Sequence, residues 1–331
     1  MIFLLIVLGK YESIKRVIMN QNELFNKLLH LFAGGLGATA GQFLTCPLDV
    51  VQTRLLSTKL NFSNPTNLTA IVGNSSVSLI ARPIFGFGYF QILFSYMKHM
   101  VHTEGVRSLF KGLSPSLLGI VPAKSIYFFC YANAKSYLYQ SKSYTNQHTV
   151  NTISAVLAGS VTGTFTNPIW YIKTMLQLDK TKNPSIYQVV YRGYQNHGIK
   201  CFFRGLSASY VGVLETVIYF LVYEDLKQLV SADNRDQFGA LNVMIAAVLS
   251  KSAATTIMYP HEVVRVRLRE DVYDLNGRLK YRNFIQTLFR VAKEEGRSGL
   301  YGGFGTSLLR QLPNTAVTFL TYEAIVYIFG K

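Results

Sequence analysis

One short pattern occurs three times along this chain of 331 residues. Its copies are Pro47-Leu48-Asp49-Val50-Val51-Gln52-Thr53-Arg54, Pro168-Ile169-Trp170-Tyr171-Ile172-Lys173-Thr174-Met175 and Pro260-His261-Glu262-Val263-Val264-Arg265-Val266-Arg267. Each follows a run of small and apolar residues. A self-similar apolar chain folds as copies of one supersecondary unit that bury a shared face against each other, so the repeat constrains architecture more than any single residue does. From Pro47 to Pro168 is 121 residues, and from Pro168 to Pro260 is 92. The excess falls in residues 57–80, rich in Ser, Asn and Thr, with Pro65 and Gly73 and no sustained helical period. That stretch reads as a loop insertion.

The chain is 49% hydrophobic and 15% charged, with mean hydropathy +0.21. Soluble domains carry about 25% charged residues, so an all-α membrane protein is the expected class. Six spans are expected at 24–56, 113–140, 149–179, 206–231, 238–270 and 305–329, with short amphipathic helices near 86–103, 184–196 and 281–294. An even number of spans puts both termini on one side. Charged residues inside such spans must face an interior or a water-filled cavity, because lipid exposure costs a few kcal/mol or more each. Small residues along the odd spans, such as Gly37-x-x-x-Gly41 and Gly159-x-x-x-Gly163, read as close helix packing.

The net charge of +16 suits an anionic solute, anionic lipids or both. Lysines and arginines stand singly within apolar segments rather than in runs, which argues against nucleic acid. Cys46, Cys130 and Cys201 lack the spacing of a disulfide framework or a zinc site, and no metal is expected. No nucleophile–base set or phosphate-cradling glycine loop appears, and the six histidines are scattered, so an enzyme is not expected. The apolar run Met1 to Leu8 is too short to span a bilayer and lacks the basic start of a signal peptide. Residues 1–21 are therefore set aside as an N-terminal extension. Residues 22–140, 141–231 and 232–331 form the three repeats.

The pattern Pro-x-Asp/Glu-x-x-Lys/Arg, three times over, resembles the mitochondrial carrier family from about Asn22 onward. The resemblance implies six transmembrane helices in three pseudo-threefold repeats, each with a short matrix-side amphipathic helix. It also implies a multi-pass monomer of the mitochondrial inner membrane. Pro47, Pro168 and Pro260 would kink the odd helices, since a proline removes a helical hydrogen bond. In the family, the acid and base of each motif form a matrix gate between neighbouring repeats. Here that pairs Asp49 with Lys173, Glu262 with Gln52, and Trp170 with Arg265, the last as a possible cation–π contact. Gln177 fits the family's brace glutamine, and Leu56 and Arg269 stand at the equivalent places. The family's cytoplasmic gate maps to Lys135 with Glu224 and Lys227 with Glu323. Ala132 and Val326 face each other as a matched loss of charge. Gly112, Gly205 and Gly303, at the starts of the even helices, correspond to cardiolipin sites, where helix amino termini attract phosphate. Cardiolipin is the one bound lipid implied, and no cofactor is.

Asn167-Pro168-Ile169-Trp170 resembles the family branch that moves pyrimidine nucleotides, NAD, FAD or folate. Residues 121–128, 166–179, 207–224, 259–270 and 310–316 resemble the pyrimidine nucleotide carriers within it. The implied function is exchange of pyrimidine nucleotides by alternating access. The alternatives are another nucleotide cofactor of the branch, or a non-transporting or proton-leak scaffold. Substrate contacts carried over from the family fall on Gly119 and Lys124, on Gly212, Val213 and Glu215, and on Arg310 and Gln311. Lys124 and Arg310 would supply positive charge for phosphate, the glycines or Val213 would admit a flat base, and Glu215 would accept a base amino group or pair with a cation.

Overall fold

A computed structural model describes residue 29 and residues 32–58, 87–140, 147–182, 184–231, 239–273 and 277–329. The N-terminal extension 1–21 and the part of the expected loop insertion from 59 to 80 lie outside them. The described helices are α1 (32–56), α2 (Phe87–Glu104), α3 (Leu113–Gln140), α4 (Gln147–Leu178) and α5 (Ile186–His197). They continue as α6 (Leu206–Ser231), α7 (Gly239–Arg269), α8 (Phe284–Leu300) and α9 (Phe304–Phe329). Long helices α1, α3, α4, α6, α7 and α9 alternate with the shorter α2, α5 and α8, one short helix in each repeat. At about 1.5 Å per residue, the 28 residues of α3 run about 42 Å, more than the roughly 30 Å of a bilayer's hydrocarbon.

The short helices end alike. Gly105, Gly198 and Gly296 carry φ of 89°, 63° and 65°, a left-handed conformation that stops a helix and that glycine adopts without strain. A tight turn follows, as 3-10 segments at Val106–Phe110 and Gly198–Phe203. In the third repeat, helical hydrogen bonding resumes past the bend at Gly296, so α8 runs beyond the expected 281–294. A second left-handed glycine, at 112, 205 and 303, then opens the next long helix.

The long helices turn much apolar surface outward. Phe43, Leu44, Leu118, Phe129, Phe165, Leu221 and Leu249 are all exposed, an inversion of the soluble pattern that places lipid around them. Among the described residues, the segments Val106–Gln140 and Ile186–Leu226 are long and apolar enough to cross a membrane by length and composition. The odd helices are less apolar because small and polar residues, such as Gly34, Gly35, Gly37, Thr39 and Gly41 of α1 and Thr152, Ser154, Gly159, Ser160 and Thr162 of α4, take up much of their length. Helices α1, α4 and α7 run through Pro47, Pro168 and Pro260 without interruption.

The described chain divides into two compact units. In the one formed from Met1–Thr45 and Gln311–Lys331, α1 and α9 lie close. A Cβ on Gly37 would fall 2.6 Å from the carbonyl oxygen of Thr318, and one on Gly41 2.5 Å from Asn314 Oδ1. The other unit, Cys46–Arg310, holds two apolar clusters around the proline motifs. One gathers Cys46, Val50, Val51 and Leu55 with Tyr96 and Met100 of α2. The other gathers Val263, Val264 and Leu268 with Tyr281, Val291 and Phe304. Both leave the polar motif residues on the opposite helix face.

Candidate functional site

Three seams join the repeats at the proline-motif end, and equivalent atoms meet at each. Gly112 of the first repeat lies against the second: a Cβ there would sit 3.1 Å from Lys173 O and 3.0 Å from Gln177 Cγ. Gly205 approaches Arg265 O and Arg269 Nε, at 3.1 and 3.2 Å, in the same way. Gly303 approaches Leu55 Cβ at 3.1 Å and Gln52 O at 3.6 Å. Left-handed backbone and close approach to the next odd helix therefore demand glycine at these three places whatever else binds there.

At the seam of repeats one and two, Lys173 Nζ lies 2.7 Å from Asp49 Oδ2. Gln177 donates to the same oxygen at 2.9 Å and accepts from Thr53 at 2.8 Å. Asp49 Oδ1 meets Arg310 at 3.1 Å. The Asp49 and Gln177 side chains are buried, so this is a braced ion pair whose remaining lone pairs are satisfied, the condition under which a buried charge is tolerated.

The other seams differ. Between repeats three and one, Gln52 donates to Glu262 Oε2 at 3.2 Å, and Leu56 stands where Gln177 stands in the first. Between repeats two and three, the expected cation–π pairing of Trp170 with Arg265 is not formed. The cation over the Trp170 ring is Lys173, 5.5 Å from its centroid, while Arg265 turns back to Glu262 on its own helix at 3.3 Å. The reason is proximity: each cation goes to the carboxylate it can reach, and the ring takes the cation that Asp49 already holds beside it. This seam is bolted instead by Arg269, buried, which donates to Trp170 O, Thr174 Oγ1 and Asn167 Oδ1 at 3.2, 3.0 and 3.1 Å.

A second ring of contacts lies around the first. Arg54 makes a fork on Glu104 at 2.6 and 2.7 Å and donates from Nε to Gln177 O, and Lys111 joins the same carboxylate. Burial alone would raise the Glu104 carboxyl, but Arg54 and Lys111 outweigh it and hold it below the usual carboxylate range. In the third repeat, Arg267 pairs with Glu295 at 2.8 Å and donates to Leu56 O. In the second, Met175 replaces the arginine and His197 replaces the acid, and His197 and Arg204 turn to Asp271. Neither charge is orphaned, because both were lost together.

The seams floor a cavity of about 470 Å³, lined from α1, α3, α4, α6, α7 and α9. Of the residues expected to contact substrate, Gly212, Val213, Glu215 and Arg310 line it. Gly119 does not: it is buried, its Cα facing Ile169 and the Trp170 ring. Lys124 is exposed beside Ala123, which does line the cavity. Gln311 is half-buried on α9, in the other unit. Glu215 Oε1 accepts from Lys251 at 2.7 Å and from Thr255 at 2.9 Å, a partner pair expected from neither Lys124 nor Arg310. The His261 imidazole lies against Gly212, since a Cβ there would fall 2.7 Å from His261 Nε2.

At the far end, the expected Lys135–Glu224 pair is not made. The Lys135 ammonium lies over the rings of Tyr131 and Tyr139, at 5.7 and 5.9 Å. Glu323 is exposed, and the side chain of Lys227 lies outside the described residues. Sequence reasoning missed Arg269 as a bolt, the Arg310–Asp49 link and the His261 imidazole at Gly212. The one signal available was the unusual arginine at the brace position.

The mitochondrial carrier protein family model matches residues 25–142, 145–234 and 236–331. Solute carrier family 25 member 36-A of Danio rerio is 43% identical over 319 residues, covering 92% of this chain and 98% of that protein. Solute carrier family 25 member 33 of Mus musculus is 41% identical over 320 residues, covering 92% and 97%. Mitochondrial pyrimidine nucleotide transporter RIM2 of Saccharomyces cerevisiae is 35% identical over 326 residues, covering 90% and 85%. Three family matches in register with three proline motifs, on three seams built from equivalent atoms, mean that the chain belongs to the mitochondrial carrier protein family.

Proposed function

We propose that this protein exchanges pyrimidine nucleotides across the mitochondrial inner membrane by alternating access, with no catalytic step. The observation that carries this reading is the cavity floor, where Arg310 and Arg265 face one space next to the Asp49–Lys173 latch. Guanidinium groups suit phosphate oxygens, which they can bind two at a time. A phosphate that reaches Arg310 competes with Asp49 for it, and so loosens the latch from the cavity side. Binding and gate opening thereby share one residue, as an exchanger requires. The relative named for pyrimidine nucleotide transport supplies the class of base.

The working unit in this reading is a monomer, with cardiolipin headgroups at the amino termini of α3, α6 and α9 beside Gly112, Gly205 and Gly303. The Asp49 and Arg310 cluster and its Gln177 brace form the matrix gate, and Lys135, Glu224, Lys227 and Glu323 form the cytoplasmic one.

Proteoliposomes loaded with UTP test the proposal. Labelled UTP or CTP should enter in exchange, and unlabelled pyrimidine nucleotides should compete better than NAD, FAD or folate. Uptake displaced best by one of those cofactors would reassign the solute, and no exchange of any nucleotide would leave a scaffold or leak protein.

A further inference from the structure

We infer that Arg265 is a phosphate contact, and that the phosphate stands in at the seam of repeats two and three for the acid that Trp170 replaces; this rests on the nucleotide reading above. The motif places Asp49, Trp170 and Glu262 at equivalent positions. At the first seam Asp49 gives Lys173 a carboxylate at 2.7 Å. The corresponding cation at the next seam is Arg265, and the residue facing it from the second repeat is an indole, which offers no acceptor.

What Arg265 has instead is slight. It makes one bond, from Nη2 to Glu262 Oε1 at 3.3 Å, three residues back on its own helix. Charge-assisted bonds of this kind usually run about 2.7–2.9 Å. Glu262 is itself shared, since its other oxygen takes Gln52. A guanidinium has five N–H donors, and the Arg265 side chain is 32% exposed in the cavity wall.

Two other cations of the floor are more committed. Lys173 is held by Asp49 and the Trp170 ring. Arg269 is buried and turned to three acceptors of α4. Arg310 holds Asp49 at 3.1 Å. Arg265 and Arg310 are thus the cations of the floor with unspent donors, each making a single contact to a carboxylate and both lining one space, and Arg265 is the more exposed of the two, with its contact going only to its own helix. A polyphosphate lying between them would satisfy the fork of Arg265 with two oxygens and complete the seam's missing ion pair. The nucleotide would then be a structural part of the gate it crosses.

Thermal unfolding of the purified protein with UTP, UDP, UMP, uridine and inorganic tripolyphosphate tests this. Stabilisation of the unaltered protein should rise with phosphate number. Arg265→Gln should weaken UTP binding roughly 10- to 100-fold, the worth of one or two charge-assisted bonds, and flatten the phosphate ladder. Arg265→Lys should keep part of it. Trp170→Asp should return the acid to the seam, occupy Arg265 and weaken UTP by roughly tenfold or more. An unchanged ladder in Arg265→Gln, or UTP affinity unaltered in Trp170→Asp, overturns the inference. Stabilisation by tripolyphosphate but by no nucleotide, lost in Arg265→Gln, would sink the pyrimidine reading and leave Arg265 in its role. No stabilisation by any of the five would sink both.

Discussion

The seam between repeats one and two and the seam between repeats two and three come from the same motif and do different work. The first holds Asp49 and Lys173 at 2.7 Å with Gln177 bracing the carboxylate. The second has Trp170 in place of the acid, Arg265 half-open to the cavity, and Arg269 buried against α4. The first is closed by its own charges. The second is closed by packing and by neutral acceptors, and leaves a cation for something else to satisfy. Threefold pseudosymmetry therefore fixes where each side chain stands, and single substitutions decide whether a position latches the protein or faces the solute.

The largest effect expected is at the first seam. Asp49→Ala strands both Lys173 and Arg310, a cost of about 3–5 kcal/mol, whereas Lys173→Ala leaves the buried Asp49 with Arg310 and Gln177 and should cost less; either should abolish exchange in proteoliposomes. The charge swap should recover part of it. Recovery of nothing by the swap, with both proteins inserted normally, would separate latching from this pair.

The outer ring sharpens the contrast. Arg267→Met strands the buried Glu295 and should lower stability by about 3 kcal/mol, read as a drop in unfolding temperature. Adding Glu295→His should restore most of that loss, because Met175 and His197 already stand at those places in the second repeat. A double variant no more stable than the single one would show that the second repeat depends on Asp271 and Arg204 for its tolerance.

A smaller change is expected at the brace. Gln177→Leu copies Leu56 of the third seam into the first and should cost about 1–2 kcal/mol through lost hydrogen bonds to buried groups. It should also raise the exchange rate where gate opening limits it. Unchanged stability would make the brace incidental.

The smallest concerns pH. Glu104 lies outside the spans, and its carboxyl is held low against burial by Arg54 and Lys111. A lowered folded-state value means stability that is present at neutral pH and lost as pH falls through the ordinary carboxylate range towards that value. Unfolding temperature should therefore decline on acidification, and Glu104→Gln should flatten the decline while lowering the neutral-pH value.

Much of this was legible before any coordinates. The long helices α3 and α6 run as their apolar stretches indicate, and the carrier resemblance brings Asp49 to Lys173 and Gln52 to Glu262. Other pairings were not legible. Trp170 receives Lys173 rather than Arg265, because a ring binds whichever cation a neighbouring carboxylate already holds near it. Lys135 lies over Tyr131 and Tyr139, because residues four apart stand one above the other on a helix face. Gly212 lines the cavity with the His261 imidazole against it, a neighbour that a missing side chain does not announce.

By itself the sequence determined the repeat, the helical period, the position of every charge along its helix, and the family. Those follow from spacing, and spacing survives folding. Only the tertiary structure decided which partner each charge takes, since that choice turns on differences of an ångström among side chains from three helices. The Arg310–Asp49 link and the half-spent guanidinium of Arg265 are of that second kind.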